Sequence, residues 1–229
     1  LFPVLYQKAA YDYLEKTSIK GQWFTFVRSG YTGASQWSPM AWSGDPDASF
    51  GSVMGLYSTV RAGINIGISG VPHWGSDIGG FKCLPPDGSE LADGELLTRW
   101  IQAGSMQSNM HDEDACSGGE GEKATIWSSS DAQEAWKTYA GLHTRLFPYF
   151  YTLAYDAHAT GAPIIRHVFL EHPDRLDLVG VDDAHYLGPA LLVVPVVTRG
   201  ARSRDIELPE GYYLDWKDQI LLSGGQKVT

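Results

Sequence analysis

No apolar run in these 229 residues approaches the roughly 20 that a membrane-crossing helix needs, and the N-terminus lacks the basic-then-apolar pattern of a signal peptide. No membrane partner is expected. Positive charge is scarce, with 17 lysines and arginines against 27 aspartates and glutamates for a formal net charge of −10, and no Lys/Arg run occurs. A chain without a basic surface cannot neutralise phosphates, so nucleic acid is excluded as an expected partner. Cysteine is limited to Cys83 and Cys116, both in polar loop sequence and neither with a second Cys or His at metal-ligand spacing. They read as free thiols; a disulfide between them stays open and leaves the compartment undecided. His172-Pro173-Asp174 and Asp182-Asp183 with His185 match no established metal spacing. Gly79-Gly80 lacks the spacing of a phosphate-binding fingerprint. Internal repeats and low-complexity segments are also missing.

Aromatic residues, in contrast, make up 12% of the chain, with eight tryptophans. A chain of this length buries a sizeable core, and most of these rings read as packing residues. The surplus suggests stacking on a ligand, and Trp42 and Trp74, beside the polar motifs described below, are singled out for that role.

The organisation alternates. Tyr6, Ala9, Ala10, Tyr13 and Leu14 form one apolar helical face, and Gly21 interrupts it before residues 23–27, a short β-former run that reads as a buried strand. Val53, Leu56, Tyr57, Val60, Ile64 and Ile68 recur at helical spacing, and residues 71–74 are a candidate strand. A helix is expected over about residues 90–103 and a helix pair over about 131–159, broken near Pro148, which removes a donor and disfavours helix before it. Residues 163–169 read as another buried strand. Strands alternating with helices imply a parallel sheet. Past about residue 181 the pattern changes to short strands with period-two alternation at 190–197, 205–208 and 212–216, separated by turns at 209–211 and 223–225.

Within the first half, the segment from Arg28 to Asp45 sets a cation, several aromatics and a lone carboxylate around a strand end. Arg28-Ser29-Gly30, Trp42-Ser43-Gly44-Asp45 and Gly75-Ser76-Asp77-Ile78-Gly79-Gly80-Phe81 occur in the order seen in glycoside hydrolase family 31. The chain resembles that family further at Leu97-Thr98-Arg99-Trp100-Ile101-Gln102, at Leu146-Phe147-Pro148-Tyr149 and from Tyr186 through Pro195, so the resemblance covers nearly its whole length. It implies the C-terminal part of a (β/α)8 TIM barrel at residues 1–180, followed by the start of a β-sandwich at 181–229. Because a barrel needs about 250 residues, its first strands are expected upstream of this chain.

Glycoside hydrolysis commonly uses two carboxyl groups flanking the scissile bond. By resemblance Asp45 is the general acid/base of a retaining α-glycosidase; Trp42 offers it an apolar neighbour and Gly44 lets the backbone approach the sugar. A solvated turn aspartate in Asp45-Pro46-Asp47 is the bland alternative. The nucleophilic aspartate belongs to an earlier strand, and no residue here is assigned to it. Arg28 is expected to bind the sugar of the innermost subsite, since a planar guanidinium holds hydroxyls and carboxylates in fixed geometry; a structural ion pair is the alternative. Asp77 is expected to organise the site, or to cap the following turn, and Phe81 to wall the sugar. The family carries Arg-x-His after the helix containing Trp100, but here His111 falls at the arginine and Glu113 at the histidine. Either the loop has shifted so that His111 still reaches the sugar, or Glu113 takes a changed recognition role. The polar run at residues 112–122 is read as an insertion.

The implied partner is a carbohydrate, with no cofactor and no metal. Oligomeric state, sugar identity and linkage are left open. An α-xylosidase, a transglycosylase and a sulfoquinovosidase share the same chemistry, the last disfavoured because related enzymes carry tyrosine where Phe81 stands. A non-catalytic carbohydrate-binding relative is the rival from another class.

Overall fold

The computed structural model describes residues 1–83, 93–115 and 123–229. The N-terminal helix α1 (Phe2–Leu14) tolerates Pro3 in its first turn, where the missing N–H is an orphan in any case. It is followed by β1 (Phe26–Val27), β2 (Met40–Trp42), α2 (Leu56–Ile68), β3 (His73–Asp77), α3 (Gly94–Gly104) and β4 (Asn109–His111). The four strands form one sheet in the order β1-β2-β3-β4, every pairing parallel.

Parallel strands need covered faces, and α2 and α3 cover one of them. Leu56, Val60 and Ile64 of α2 and Leu96, Leu97, Trp100 and Ile101 of α3 pack with Ala41, Trp74 and Ile78 in one buried cluster. Each fully buried aliphatic contributes ~1.5–3 kcal/mol. The starts of the helices follow local chemistry: Asp93 caps α3 by accepting from the Leu96 N–H at 2.9 Å. This strand-and-helix alternation is one arc of a (β/α)8 barrel.

The chain continues into α4 (Ser130–Arg145) and α5 (Phe147–Thr160). Ser129 caps α4 through the Ala132 N–H at 3.1 Å, and His143 and Arg145 lie in its last turn. The break before Pro148 stands where the sequence places it, and Gly161 ends α5 in the left-handed conformation.

The C-terminal part consists of β5 (Ile165–His167), α6 (Val168–Glu171), β6 (His185–Leu187), β7 (Leu191–Val193), β8 (Ile206–Leu208), β9 (Tyr212–Leu214), β10 (Leu221–Ser223) and β11 (Gln226–Val228). These make an antiparallel sheet β5-β6-β7 and two antiparallel pairs, β9 with β10 and β8 with β11. This is the start of the expected β-sandwich. The segment at 163–169 is a correction: its strand is short and pairs antiparallel with β6, grouping with the chain that follows it. Side-chain burial alone cannot report the direction of a partner strand. The two parts are joined by Tyr57, whose hydroxyl donates to Asp182 at 2.8 Å, and by Arg199, which pairs with Asp93 and lies 5.0 Å from the Phe50 ring centroid.

Three further expectations need correcting. On α1 the buried position is Gln7, whose amide donates to the Ser29 carbonyl at 2.5 Å, while Tyr6 and Tyr13 are exposed. The packed aromatic is Tyr11, edge-on to Trp23 and Trp37 at 5.3 and 5.2 Å. Residues 23–27 are also less buried than expected, with Phe24 and Phe26 exposed, because β1 is an edge strand of the described sheet. Cys83 is disulfide-bonded, contrary to the free-thiol reading; Cys116 lies outside the described residues.

Candidate active site

Strand register decides which side chains meet. Trp42 pairs with Gly75, Gly75 with Asn109, and Asp77 with His111, so Trp42, Asp77, Asn109 and His111 project to the face that α2 and α3 leave uncovered. Phe26, paired with Met40 two residues before Trp42, projects there too. Its ring lies 6.2 Å from Trp42 and 5.6 Å from His111, both edge-on.

Asp77 is the hub. It is fully buried, and its Oδ1 accepts from the Trp42 indole N–H at 2.8 Å and contacts His111 Nε2 at 2.8 Å. The Asn109 amide donates to His111 Nδ1 at 2.9 Å, which sets the neutral ring in the tautomer with its proton on Nε2, so that Nε2–H donates to Asp77. The other oxygen, Oδ2, is buried with no hydrogen-bond partner among the described residues. One carboxylate thus fixes the orientation of two rings in the site.

Asp45 lies on the loop leaving β2. Gly44 precedes it with φ +78°, and a Cβ there would stand 3.1 Å from Arg28 Nε, so the chain passes against the guanidinium only because this residue is glycine. Arg28, one residue past the end of β1, donates from Nη1 to Asp45 Oδ2 at 3.1 Å. The two side chains are 54% and 20% exposed respectively. The Arg28 guanidinium carbon is also 5.5 Å from the Trp42 ring centroid, within cation–π range. Phe81 meets the same indole edge-on at 6.3 Å. The loop that carries Phe81 is stitched to the loop of Asp45, because the Phe81 and Lys82 N–H groups both donate to the Pro46 carbonyl, at 2.7 and 2.9 Å. Gly80 has φ +93° and comes so close to Ala48 that a Cβ would lie 2.5 Å from its Cα, so any side chain at residue 80 separates the two loops.

Arg28, Trp42, Asp45, Asp77, Phe81 and His111 therefore gather in one place. Trp74 does not join them. It alternates with Gly75 and points the other way, buried against α2, where a Cβ on Gly63 would come within 2.7 Å of its indole. Glu113 is exposed, while its carbonyl accepts from Lys123 at 3.0 Å; of the two residues weighed for the histidine position, His111 is the one inside the cluster. Sequence reasoning missed Phe26 and Asn109 as site residues. Their signal was present, since residues two apart on a strand share a face, and Asn109 stands two before His111. It also missed Lys123, for which a lone lysine in a polar stretch gives no signal.

The chain as a whole resembles known proteins. The TIM-barrel domain of the glycosyl hydrolases family 31 matches residues 1–153, and the C-terminal domain of the same family matches residues 161–229. The chain belongs to glycosyl hydrolase family 31. Among relatives, a probable alpha-glucosidase of Oryza sativa subsp. japonica is 32% identical over 232 residues, which is 100% of this chain and 24% of that protein. An isomaltosyltransferase of Sporosarcina globispora is 30% identical over 237 residues, 100% of this chain and 20% of that protein. Among solved structures, a family 31 alpha-xylosidase from a soil metagenome, complexed with xylose, is 31% identical with a TM-score of 0.84, covering 99% of this chain and 35% of that one. The family 31 chain described here thus spans between a fifth and about a third of the length of these relatives, and the two family domains it carries divide between residues 153 and 161. Among the described residues, no helix is long and apolar enough to cross a membrane, and no group of three or more His, Cys, Asp or Glu side chains is placed to hold a metal.

Proposed function

We propose that this chain supplies the acid/base half of a retaining α-glycosidase active site, with Asp45 as the proton-transferring group and the nucleophilic aspartate contributed by barrel strands outside it. The observation that carries this reading is the seating of Asp45: Arg28 takes Oδ2 at 3.1 Å, and Oδ1 has no hydrogen-bond partner among the described residues, within a ring-lined cluster at the strand ends. The C-terminal ends of barrel strands are where such enzymes do their chemistry.

In the first step Asp45 donates its proton to the departing glycosidic oxygen as the nucleophile attacks the anomeric carbon. In the second it removes a proton from the water that hydrolyses the glycosyl-enzyme. Arg28, Trp42, Phe81 and His111 wall and orient the sugar, and Asp77 orients Trp42 and His111 through Oδ1. Family membership and the sugar bound in the xylosidase structure support a terminal α-linked hexose or pentose as substrate class. Transfer to a second sugar in place of water is the alternative within this chemistry, supported by the isomaltosyltransferase relative; product analysis in the presence of sugar acceptors separates the two.

The test is Asp45→Asn in the full-length protein. Hydrolysis of glycosides with poor leaving groups is expected to fall by about 100-fold or more, within the ~10²–10⁴ contributed by general acid–base catalysis, while activated aryl glycosides, which need little protonation, are spared more. Equal losses on both substrates remove Asp45 from the role.

A further inference from the structure

Lys123 is a buried lysine that belongs to none of the motifs described above, and its side chain is only 1% exposed. Burying an ammonium costs several kcal/mol unless oxygens replace its water, and here they do. Nζ donates to Asp112 Oδ1 at 2.5 Å, to the Gly80 carbonyl at 2.8 Å and to the Glu113 carbonyl at 3.0 Å, with the Ile78 carbonyl at 3.2 Å sharing a proton. An ammonium has three protons for these four oxygens.

The addresses of those oxygens are informative. Ile78 follows Asp77, Gly80 precedes Phe81, and Asp112 and Glu113 are the first and second residues after His111, so every grip lies within two residues of a member of the candidate site. The two segments held are the turn leaving β3 and the stretch leaving β4, which also meet through Ile78 N–H to His111 O at 3.1 Å and Ala115 N–H to Phe81 O at 3.1 Å.

We propose that Lys123 is a positioning residue for sugar binding: its ammonium pins the turn after β3 to the segment after β4 and so sets the distance between the Phe81 wall and His111. It touches no substrate itself. This rests on the reading of the cluster as a glycoside site, and the experiment is arranged so that the two can fail separately.

In the full-length protein, amide hydrogen exchange is followed at residues 78–82 and 110–115 for wild type, Lys123→Met and Lys123→Ala, the last with and without butylammonium. Exchange in both segments is expected to accelerate in the variants and to slow again with butylammonium but not with butan-1-ol, because only the cation replaces the lost charge. Alongside, KM for an aryl α-glycoside is expected to rise on the order of 10- to 100-fold, the scale of a misplaced binding group, with kcat changing far less, and to recover with butylammonium. Unchanged exchange in the two segments, or exchange that no cation restores, overturns the clamp whether or not the protein is a glycosidase. Altered exchange with an unchanged KM overturns the binding role. A wild-type protein inactive on glycosides overturns the substrate reading and leaves the exchange result to decide the clamp. If Lys123→Met lowers the unfolding midpoint throughout the molecule, cation rescue of Lys123→Ala decides.

Discussion

The two faces of the parallel sheet use the same residue types for opposite ends. On the covered face Trp74 is held by shape, its ring lying on α2 over Gly63, with its indole N–H buried and lacking an acceptor among the described residues. On the uncovered face Trp42 is held by a hydrogen bond to Asp77 and surrounded by Phe26, Phe81 and Arg28. Both tryptophans stand beside family motifs, and both looked equally suited to meet a sugar. Strand parity separates them: the register puts Trp42 level with Gly75 and Trp74 level with Ala41, and successive residues face opposite ways.

The largest expected effect breaks the comparison at its packed side. Trp74→Ala should destabilise by ~3–5 kcal/mol, the usual cost of emptying a large aromatic from a core, read as a fall in the denaturant midpoint, while KM for a glycoside in the folded fraction stays at the wild-type value. A selective rise in KM with little loss of stability would return Trp74 to the site. Next comes the polar side. Asp77→Ala removes the acceptor of two half-buried N–H donors, at up to ~1–3 kcal/mol for each bond lost, and releases His111 and Trp42. Catalytic efficiency should drop on the order of 100-fold, whereas Asp77→Asn, which keeps one acceptor oxygen, should lose less.

The C-terminal sheets offer a third environment, a buried histidine with no hydrogen-bond partner among the described residues. His185 on β6 is fully buried, burial alone lowers its pKa to about 4, and neither ring nitrogen has a partner among the described residues. His167, opposite it in the register, is also shifted down, first by burial. A histidine depressed in the folded state binds its proton more readily when unfolded. Stability is therefore complete above the ordinary value near 6.5 and is lost as pH falls towards 4, with a limiting slope of ~1.4 kcal/mol per pH unit from this one group. Denaturant titrations at several pH values should show that slope, and His185→Leu should reduce it. The smallest effect is the control: Lys137 and Glu134, 3.9 Å apart and both largely exposed, should change stability by less than about 0.5 kcal/mol when either is replaced by alanine.

How much of this was legible in advance divides along a physical line. The helices at Leu56–Ile68 and Ser130–Arg145, the break before Pro148 and the switch to short strands follow from periodicity and turn chemistry, which act over a few residues. Asp45, Arg28, Asp77 and Phe81 were singled out because they sit inside a recognisable ordered series, and the fold brings them together. The antiparallel partner of β5, the burial of Gln7 in place of Tyr6, and the bond at Cys83 were not, because each depends on a neighbour distant in the chain.

By itself the sequence determined the family, through the order of its motifs, and the strand-and-helix alternation, through local spacing; it also supplied the residue types that gather in the candidate site. Only the tertiary structure decided which tryptophan faces the site, that His111 and not Glu113 reaches Asp77, and that a buried lysine ties the two loops together. Those outcomes turn on strand register and on burial, where a shift of one residue reverses a face and a distant ammonium finds its oxygens only after the chain has closed around it.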